Sequence, residues 1–371
     1  MSTLGKALAI TVSAATVAAL SACGSDNNAT APSATTTGSG TSASADCGGK
    51  NTLSAEGSTA QQNAIGVFNQ VWGQKCPGKN LSYNPTGSGA GVNQFIAAQV
   101  DFAGSDSALS KDQPAEAAKR CGGNPAWNLP LVFGPVALAY NVPGVDKIVV
   151  NADVLAKIFS GAITAWNDPA IAALNAGAAL PDTAIVPVYR SDSSGTTDNF
   201  QKYLAAAAPQ TWTKGVGKEF QGGAGEGAQK SAGIVQAVQA TPGAIGYVEK
   251  GFADQAGLPA AQIDTGSGPV ELTDASAGAA IAGAKFAAEG NDLILDLNSI
   301  YATNAPGAYP LVLATYEIVC SKGYDADTAA AVKSFLTVAA TDGQAGLSAA
   351  GYSPLPEPFK ERLLTAVSAI A

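Results

Sequence analysis

The sequence predicts an α/β protein built as two lobes with a ligand cleft between them. Three observations carry this. Short apolar runs alternate with segments of helical spacing from residue 53 onwards, a pattern that gives mostly parallel sheets. Four strand ends run into glycine- and hydroxyl-rich turns that open helices, and in such sheets ligands sit beyond the carboxyl ends of strands. Two longer apolar runs, near 128–140 and 309–319, separate the three junctions within 57–106 from a fourth near 190. One lobe is therefore expected from 47–134 with 309–371 and the other from 135–308, hinged by two crossing strands.

Residues 1–22 read as an export signal, with Lys6 as the positive region and Ala7 to Leu20 as an apolar run too short and alanine-rich for a membrane span. The run closes on Leu20-Ser21-Ala22-Cys23-Gly24, similar to the lipobox of bacterial lipoproteins. That similarity implies cleavage before Cys23 and lipidation of its thiol, which would hold the protein at the outer face of the cell membrane. Residues 23–46 are Ser, Thr, Ala, Gly and Asn with almost nothing to bury, a flexible tether. Cys47, Cys76, Cys121 and Cys320 remain. An even number in an exported chain predicts two disulfides in one of three connectivities, and we expect Cys47–Cys76 and Cys121–Cys320 because Cys47 and Cys76 each precede segments read as neighbouring strands.

Leu53 to Glu56 reads as a strand entering Gly57-Ser58-Thr59, and 60–74 as a helix with Ile65, Phe68, Val71 and Trp72 on one face, capped by Ser58 or Thr59. Leu81 to Asn84 enters Gly87-Ser88-Gly89-Ala90-Gly91 ahead of a second helix, the glycines allowing the backbone close to a bound group. A third strand end, 101–110, carries Asp106 at its tip, where an acid is either a helix cap or a reader of a ligand proton. Asn128 to Tyr140 is the first crossing, broken by Pro130, Gly134 and Pro135. A helix capped by Asn151 and a turn and helix over 163–175 follow.

Ala184 to Val188 then leads into Tyr189-Arg190-Ser191-Asp192-Ser193-Ser194-Gly195-Thr196-Thr197 and a helix from Asp198. This turn places backbone N–H groups and a positive helix end at one point, an anion site. Arg190 adds a planar fork of donors, and Asp192, two residues on and so on the same side, can hold it. A helix within 226–240, a strand to Val248, the second crossing over 309–319 and helices over 326–336, 342–347 and 357–370 complete the chain.

With 20 Lys and Arg against 29 Asp and Glu the net charge is −9, which argues against nucleic acid as a partner. An anion site survives this, because distant surface charges are screened beyond about 8 Å. The chain has no histidine, which removes Ser-His-Asp and Cys-His catalysis and His-ligated metal. The cysteines lack C-x-x-C spacing, so neither metal nor cofactor is expected. The most phosphate-loop-like stretch, Gly222 to Ser231, fails the required G-K-[ST] ending.

Taken together, Gly57-Ser58-Thr59, Thr86 to Gly91, Phe102 to Asp106, Arg190 to Thr196 and Thr241 to Tyr247 resemble, in order, the phosphate-specific substrate-binding proteins of bacterial ABC uptake systems (PstS). The cysteines and Cys121 to Pro130 resemble the actinobacterial lipoprotein branch. The resemblance implies a type II periplasmic-binding-protein fold, inorganic phosphate as ligand, permease subunits as partners and no enzymatic activity; a monomer is the default expectation. Carried over, the phosphate contacts fall on Ser58, Thr59, Ala60, Ser88, Asp106, Arg190, Ser194, Gly195 and Thr196, with Asp192 supporting the arginine. Ala60 departs from the family, where a bulkier residue is common, and a contact through its N–H would survive. The alternatives are a receptor for sulfate or molybdate, a phosphoester hydrolase using Ser88 or Ser194, and a lipoprotein with an adhesive or signalling role.

Overall fold

Strand β1 (Thr52–Gly57) pairs in parallel with β2 (Asn80–Pro85) and β3 (Phe102–Ser105), and the connections between them are helices α1 (Gln62–Lys75) and α2 (Ser88–Ile96). These belong to a computed structural model in which residues 46–371 are described; the expected signal segment, Cys23 and nearly all of the tether lie outside them. After α3 (Gln113–Arg120), a helix absent from the sequence reading, comes β4 (Ala126–Asn141), a single strand of 16 residues despite its two prolines and glycine. The strand needs no break because β4 changes partner midway: 126–135 pair with one neighbour and 136–141 with another.

The second half of the sheet follows the same plan. β5 (Val149–Val150), α4 (Ala152–Phe159, capped by Asn151) and α5 (Pro169–Leu174) precede β6 (Val186–Arg190) and α6 (Gly195–Ala207). β7 (Glu226–Ala228), α7 (Lys230–Ala240), β8 (Ala244–Glu249) and α8 (Lys250–Gln255) complete it. Small elements come next: β9 (Gln262–Asp264), β10 (Pro269–Val270), α9 (Asp274–Ile281), β11 (Lys285–Phe286), β12 (Leu295–Asp296) and α10 (Asn298–Tyr301). β13 (Val312–Cys320), α11 (Ala326–Ala340) and α12 (Glu357–Ser368) close the chain.

The main sheet runs β2-β1-β3-β13-β4-β8-β6-β7. Its outer pairs are parallel, as expected, but the central β3-β13, β13-β4 and β4-β8 pairs are antiparallel, because the crossing strands run against both wings. Leu53, Phe68, Trp72, Phe133 and Phe335 centre one core, and Tyr140, Leu155, Trp166, Phe200 and Tyr247 the other. This is the two-lobed α/β architecture.

Three expectations change. Residues 277–308 do not all pack with the second lobe as expected: Ala277, Ile281, Leu293 and Leu295 pack in the first core, Leu293 N–H donates to Asn128 O and Phe286 lies against Phe359, while Tyr301 stays in the second core. Much of the segment returns early to the first lobe, a long-range packing choice that no local pattern encodes. Neither Ser58 nor Thr59 caps α1, whose N-cap is Gln61 without a side-chain bond; the Ser58 and Thr59 hydroxyls are used elsewhere. Residues 226–228 form a strand, not part of the following helix. Disulfides join Cys47 to Cys76 and Cys121 to Cys320.

Candidate anion site

Three tips of the first lobe are laced together by their backbones. Ser58 N–H donates to Gly104 O at 2.8 Å and Gly87 N–H to Gly57 O at 2.8 Å. Gly57 has a φ of +141°, and a Cβ there would lie 2.1 Å from Gly104 O, so the close approach of β1 and β3 demands glycine. Into this cluster projects Asp106, 2 % exposed. Its Oδ1 accepts from Ser58 Oγ at 2.5 Å and from Thr315 Oγ1 at 2.7 Å, and its Oδ2 accepts from Ser88 Oγ at 3.0 Å. Burial pushes the Asp106 carboxyl up to about 6; the Ser58 hydroxyl pulls it back, the charge of Glu249 adds to the rise, and Thr315 and Ser88 offset part of it. Asp106 is therefore not a helix cap.

The fourth tip comes from the second lobe. Arg190, at the end of β6 and 2 % exposed, donates through Nε to Asp192 Oδ1 at 2.7 Å and through Nη2 to Asp192 Oδ2 at 2.5 Å. Burial alone would lower the arginine pKa, but the Asp192 bond and charge outweigh it and the net shift is upward. Burial likewise opposes the Asp192 charge, and Arg190 prevails, holding its carboxyl below the usual range. The fork thus leaves Nη1 uncommitted to Asp192. Ser194 caps α6 by accepting from Thr197 N–H at 3.2 Å. The N–H groups of Gly195 and Thr196, at the first two helical positions, have no intrahelical acceptor.

The two sides meet directly. A Cβ on Gly195 would lie 2.6 Å from both Asp106 Cβ and Ser88 Oγ. Gly89 N–H donates to Ser193 O at 3.0 Å, Asn199 Nδ2 to Asp106 O at 2.6 Å, and Ser107 Oγ to Asp198 Oδ2 at 2.5 Å. Arg190 and Asp106 do not touch, but the Glu249 carboxylate acts on the charge of each. Ala60 lines the wall with its N–H turned to Ser58 Oγ at 3.0 Å and its methyl in the second core. A cavity of about 140 Å³ beside the site is lined by Asp106, Ser107, Asn199 and Lys202, and one of about 580 Å³ by Ser107, Asp198, Lys202 and Lys218; Arg190 lines neither.

Four buried residues here escaped the sequence reading: Ser231, Tyr247 as a side chain, Glu249 and Thr315. Glu249 accepts from Thr196 Oγ1 at 2.6 Å and from Ser231 Oγ at 2.7 Å, and Ser231 Oγ lies 2.8 Å from Thr59 Oγ1. Tyr247 Oη accepts from Arg190 N–H at 3.1 Å. Ser231 opens α7 after β7, so the glycine-rich stretch set aside for its wrong ending supplies a fifth strand–turn–helix junction. The visible signal was a polar residue within or at the end of an apolar strand, Thr315 in the second crossing and Glu249 after Gly246-Tyr247-Val248.

Residues 27–342 match the PBP superfamily domain. Phosphate-binding protein PstS 3 of Mycobacterium tuberculosis is 53 % identical over 365 residues, covering 98 % of this chain and 98 % of that relative. The chain belongs to the PstS family of phosphate-binding proteins. PstS 2 of the same organism is 49 % identical over 367 residues, covering 98 % of each chain. PstS of Pasteurella multocida is 32 % identical over 298 residues, covering 78 % of this chain and 82 % of its own. Among solved structures, the high-affinity periplasmic phosphate-binding protein PfluDING, bound with phosphate, superposes with a TM-score of 0.69 at 24 % identity, over 85 % of this chain and 93 % of that one, and shares the fold. As a PstS family member the chain is a binding protein and not an enzyme, and none of its described helices is long and apolar enough to cross a membrane.

Proposed function

We propose that this protein captures inorganic phosphate outside the membrane and delivers it to the permease subunits of an ABC importer. The observation that supports it is the meeting of Ser58, Ser88 and Asp106 with Gly195 at the end of α6, beside a buried arginine already held by its own aspartate. Arg190 Nη1, the Ser194 hydroxyl and the Gly195 and Thr196 N–H groups supply donors. Ser58 and Ser88 turn from Asp106 to the anion, and Thr59 and Ala60 form the wall. Hydrogen bonds to a charged group contribute about 1.5–3 kcal/mol each, so five or so suffice for submicromolar binding after ordering costs.

Asp106 gives the selectivity. With its pKa near 6 it is ionised at neutral pH and accepts an O–H, which both phosphate forms present there carry. Sulfate has none, and its oxygen would face the carboxylate without a proton between them; a mismatch of this kind rejects a ligand by about 10⁴–10⁵. Calorimetric titration of the purified protein with phosphate, sulfate and molybdate tests the reading, which predicts tight binding of phosphate alone; preference for either other anion overturns it. We further propose that the chain acts as a monomer held to the outer membrane face by lipid on Cys23. Cys23→Ala then releases it from the membrane fraction.

A further inference from the structure

The helix that closes on the anion site also grips the first lobe one turn further along. Asn199 follows Gly195 by four residues in α6 and is 1 % exposed. Its Nδ2 donates to Asp106 O at 2.6 Å and to Gly195 O at 2.8 Å. Both acceptors are backbone carbonyls with no proton to give, so the amide nitrogen must face them and Oδ1 must face away. Oδ1 accepts from Tyr301 Oη, on a residue 1 % exposed in the second core. The amide is thus oriented from both ends, by one side-chain donor and two main-chain acceptors.

Only one of these bonds crosses the cleft. Asn199 and Gly195 lie on α6 and Tyr301 on α10, all packed with the second lobe, whereas Asp106 follows β3 in the first. The bond to Asp106 O therefore requires the lobes to be together, while the other two hold the amide ready in either state. We propose that Asn199 is a positioning residue: oriented by Tyr301, its amide catches the main chain of Asp106 on closure and so retains the bound anion. This rests on the phosphate reading above. A hydroxyl rotates freely, but this amide cannot turn to a ligand without setting its oxygen against two carbonyl oxygens, so Asn199 acts through Asp106. Closing the cleft without that donor leaves the buried Asp106 carbonyl one partner short, whereas in the open cleft water supplies it. The neighbouring bond from Ser107 Oγ to Asp198 Oδ2 does not depend on Asn199, so its loss weakens closure without abolishing it.

The catch acts on escape more than on entry. Asn199→Leu keeps the bulk of the side chain without its donors. Stopped-flow measurement of inorganic phosphate binding to the full chain is expected to show it raising the dissociation rate about 5- to 50-fold, with the association rate nearly unchanged. Tyr301→Phe removes only the hydroxyl that orients the amide, and is expected to raise the dissociation rate about 2- to 5-fold. Added to Asn199→Leu, the same substitution is expected to change nothing further, because both act through one amide. Urea denaturation of the phosphate-free variants supplies the contrast. A loss of stability there with dissociation at the parent rate makes Asn199 merely structural and overturns the proposal. Effects of Asn199→Leu and Tyr301→Phe that multiply overturn it equally, as does an effect confined to the association rate. If the parent protein binds no phosphate, the assigned ligand falls, and the same rates measured with sulfate or molybdate decide the catch.

Discussion

At the scale of single residues, the site sets acceptors against donors at close range. Asp106 takes three hydroxyl protons, so an anion entering its reach must either bring a proton or displace them. Asp106→Asn replaces one acceptor oxygen by a donor. It is expected to weaken phosphate binding about tenfold or more and to admit sulfate, measured by calorimetry with each anion; continued strong rejection of sulfate would remove Asp106 from the selectivity account. A second carboxyl, Glu317 on β13, is fully buried, and both its oxygens and Gln61 Oε1 make no hydrogen bond. Burial pushes it up to about 8, the nearby Gln61 amide offsets part of the rise, and Asp106 adds to it. The fold favours the protonated acid, so the stability it contributes is full below the ordinary value of 4.5 and is lost as pH rises through about 8. Glu317→Gln is expected to flatten that decline, with a gain on the order of a few kcal/mol at the alkaline end, read by urea denaturation across the window. A parent and variant that fall in parallel would show Glu317 titrating normally.

At the scale of elements, the recurring unit is a strand that ends in a turn too tight for side chains. Gly195 opens α6 against Asp106 and Ser88, and any Cβ there enters contacts of 2.6 Å. Gly195→Ala is therefore expected to leave each lobe folded while lowering phosphate affinity at least tenfold, because the lobes can no longer meet; circular dichroism and calorimetry on one sample separate the two effects. The disulfide from Cys121, after α3, to Cys320, at the end of β13, ties elements 199 residues apart. Replacing both cysteines by serine is expected to lower stability by roughly 2–5 kcal/mol in chemical denaturation, with anion binding retained, since neither sulfur approaches the site.

At the scale of the whole molecule, an anion must approach a protein of net charge −9. Lys111 and Lys202 line the cavity of about 580 Å³ between the lobes together with Lys218. Burial lowers the Lys218 pKa, with Lys202 acting in the same direction against the raising charges of Asp198 and Asp106. Asp112, Glu116 and Asp198 line the cavity too, so each lysine offsets a local negative charge, and removing one leaves a field that opposes an approaching anion in a salt-sensitive way. Lys218→Ala is expected to slow phosphate association several-fold at low salt and little at high salt; a salt-independent change would point to a direct contact instead.

The sequence by itself determined what is local. Strand-to-turn-to-helix junctions are written in runs of a few residues, and the Arg190–Asp192 pair was legible because two residues on a strand end share a side. The convergence of four tips could be inferred from motif order through family resemblance. Tertiary structure alone decided the rest. Thr59 and Ser231 meet across a separation of 172 residues, Thr315 reaches Asp106 across 209, and 277–295 folds back onto the first core. No periodicity encodes such contacts, because a hydroxyl or a carboxylate finds its partner only after the lobes have packed and the water that would otherwise satisfy it has left.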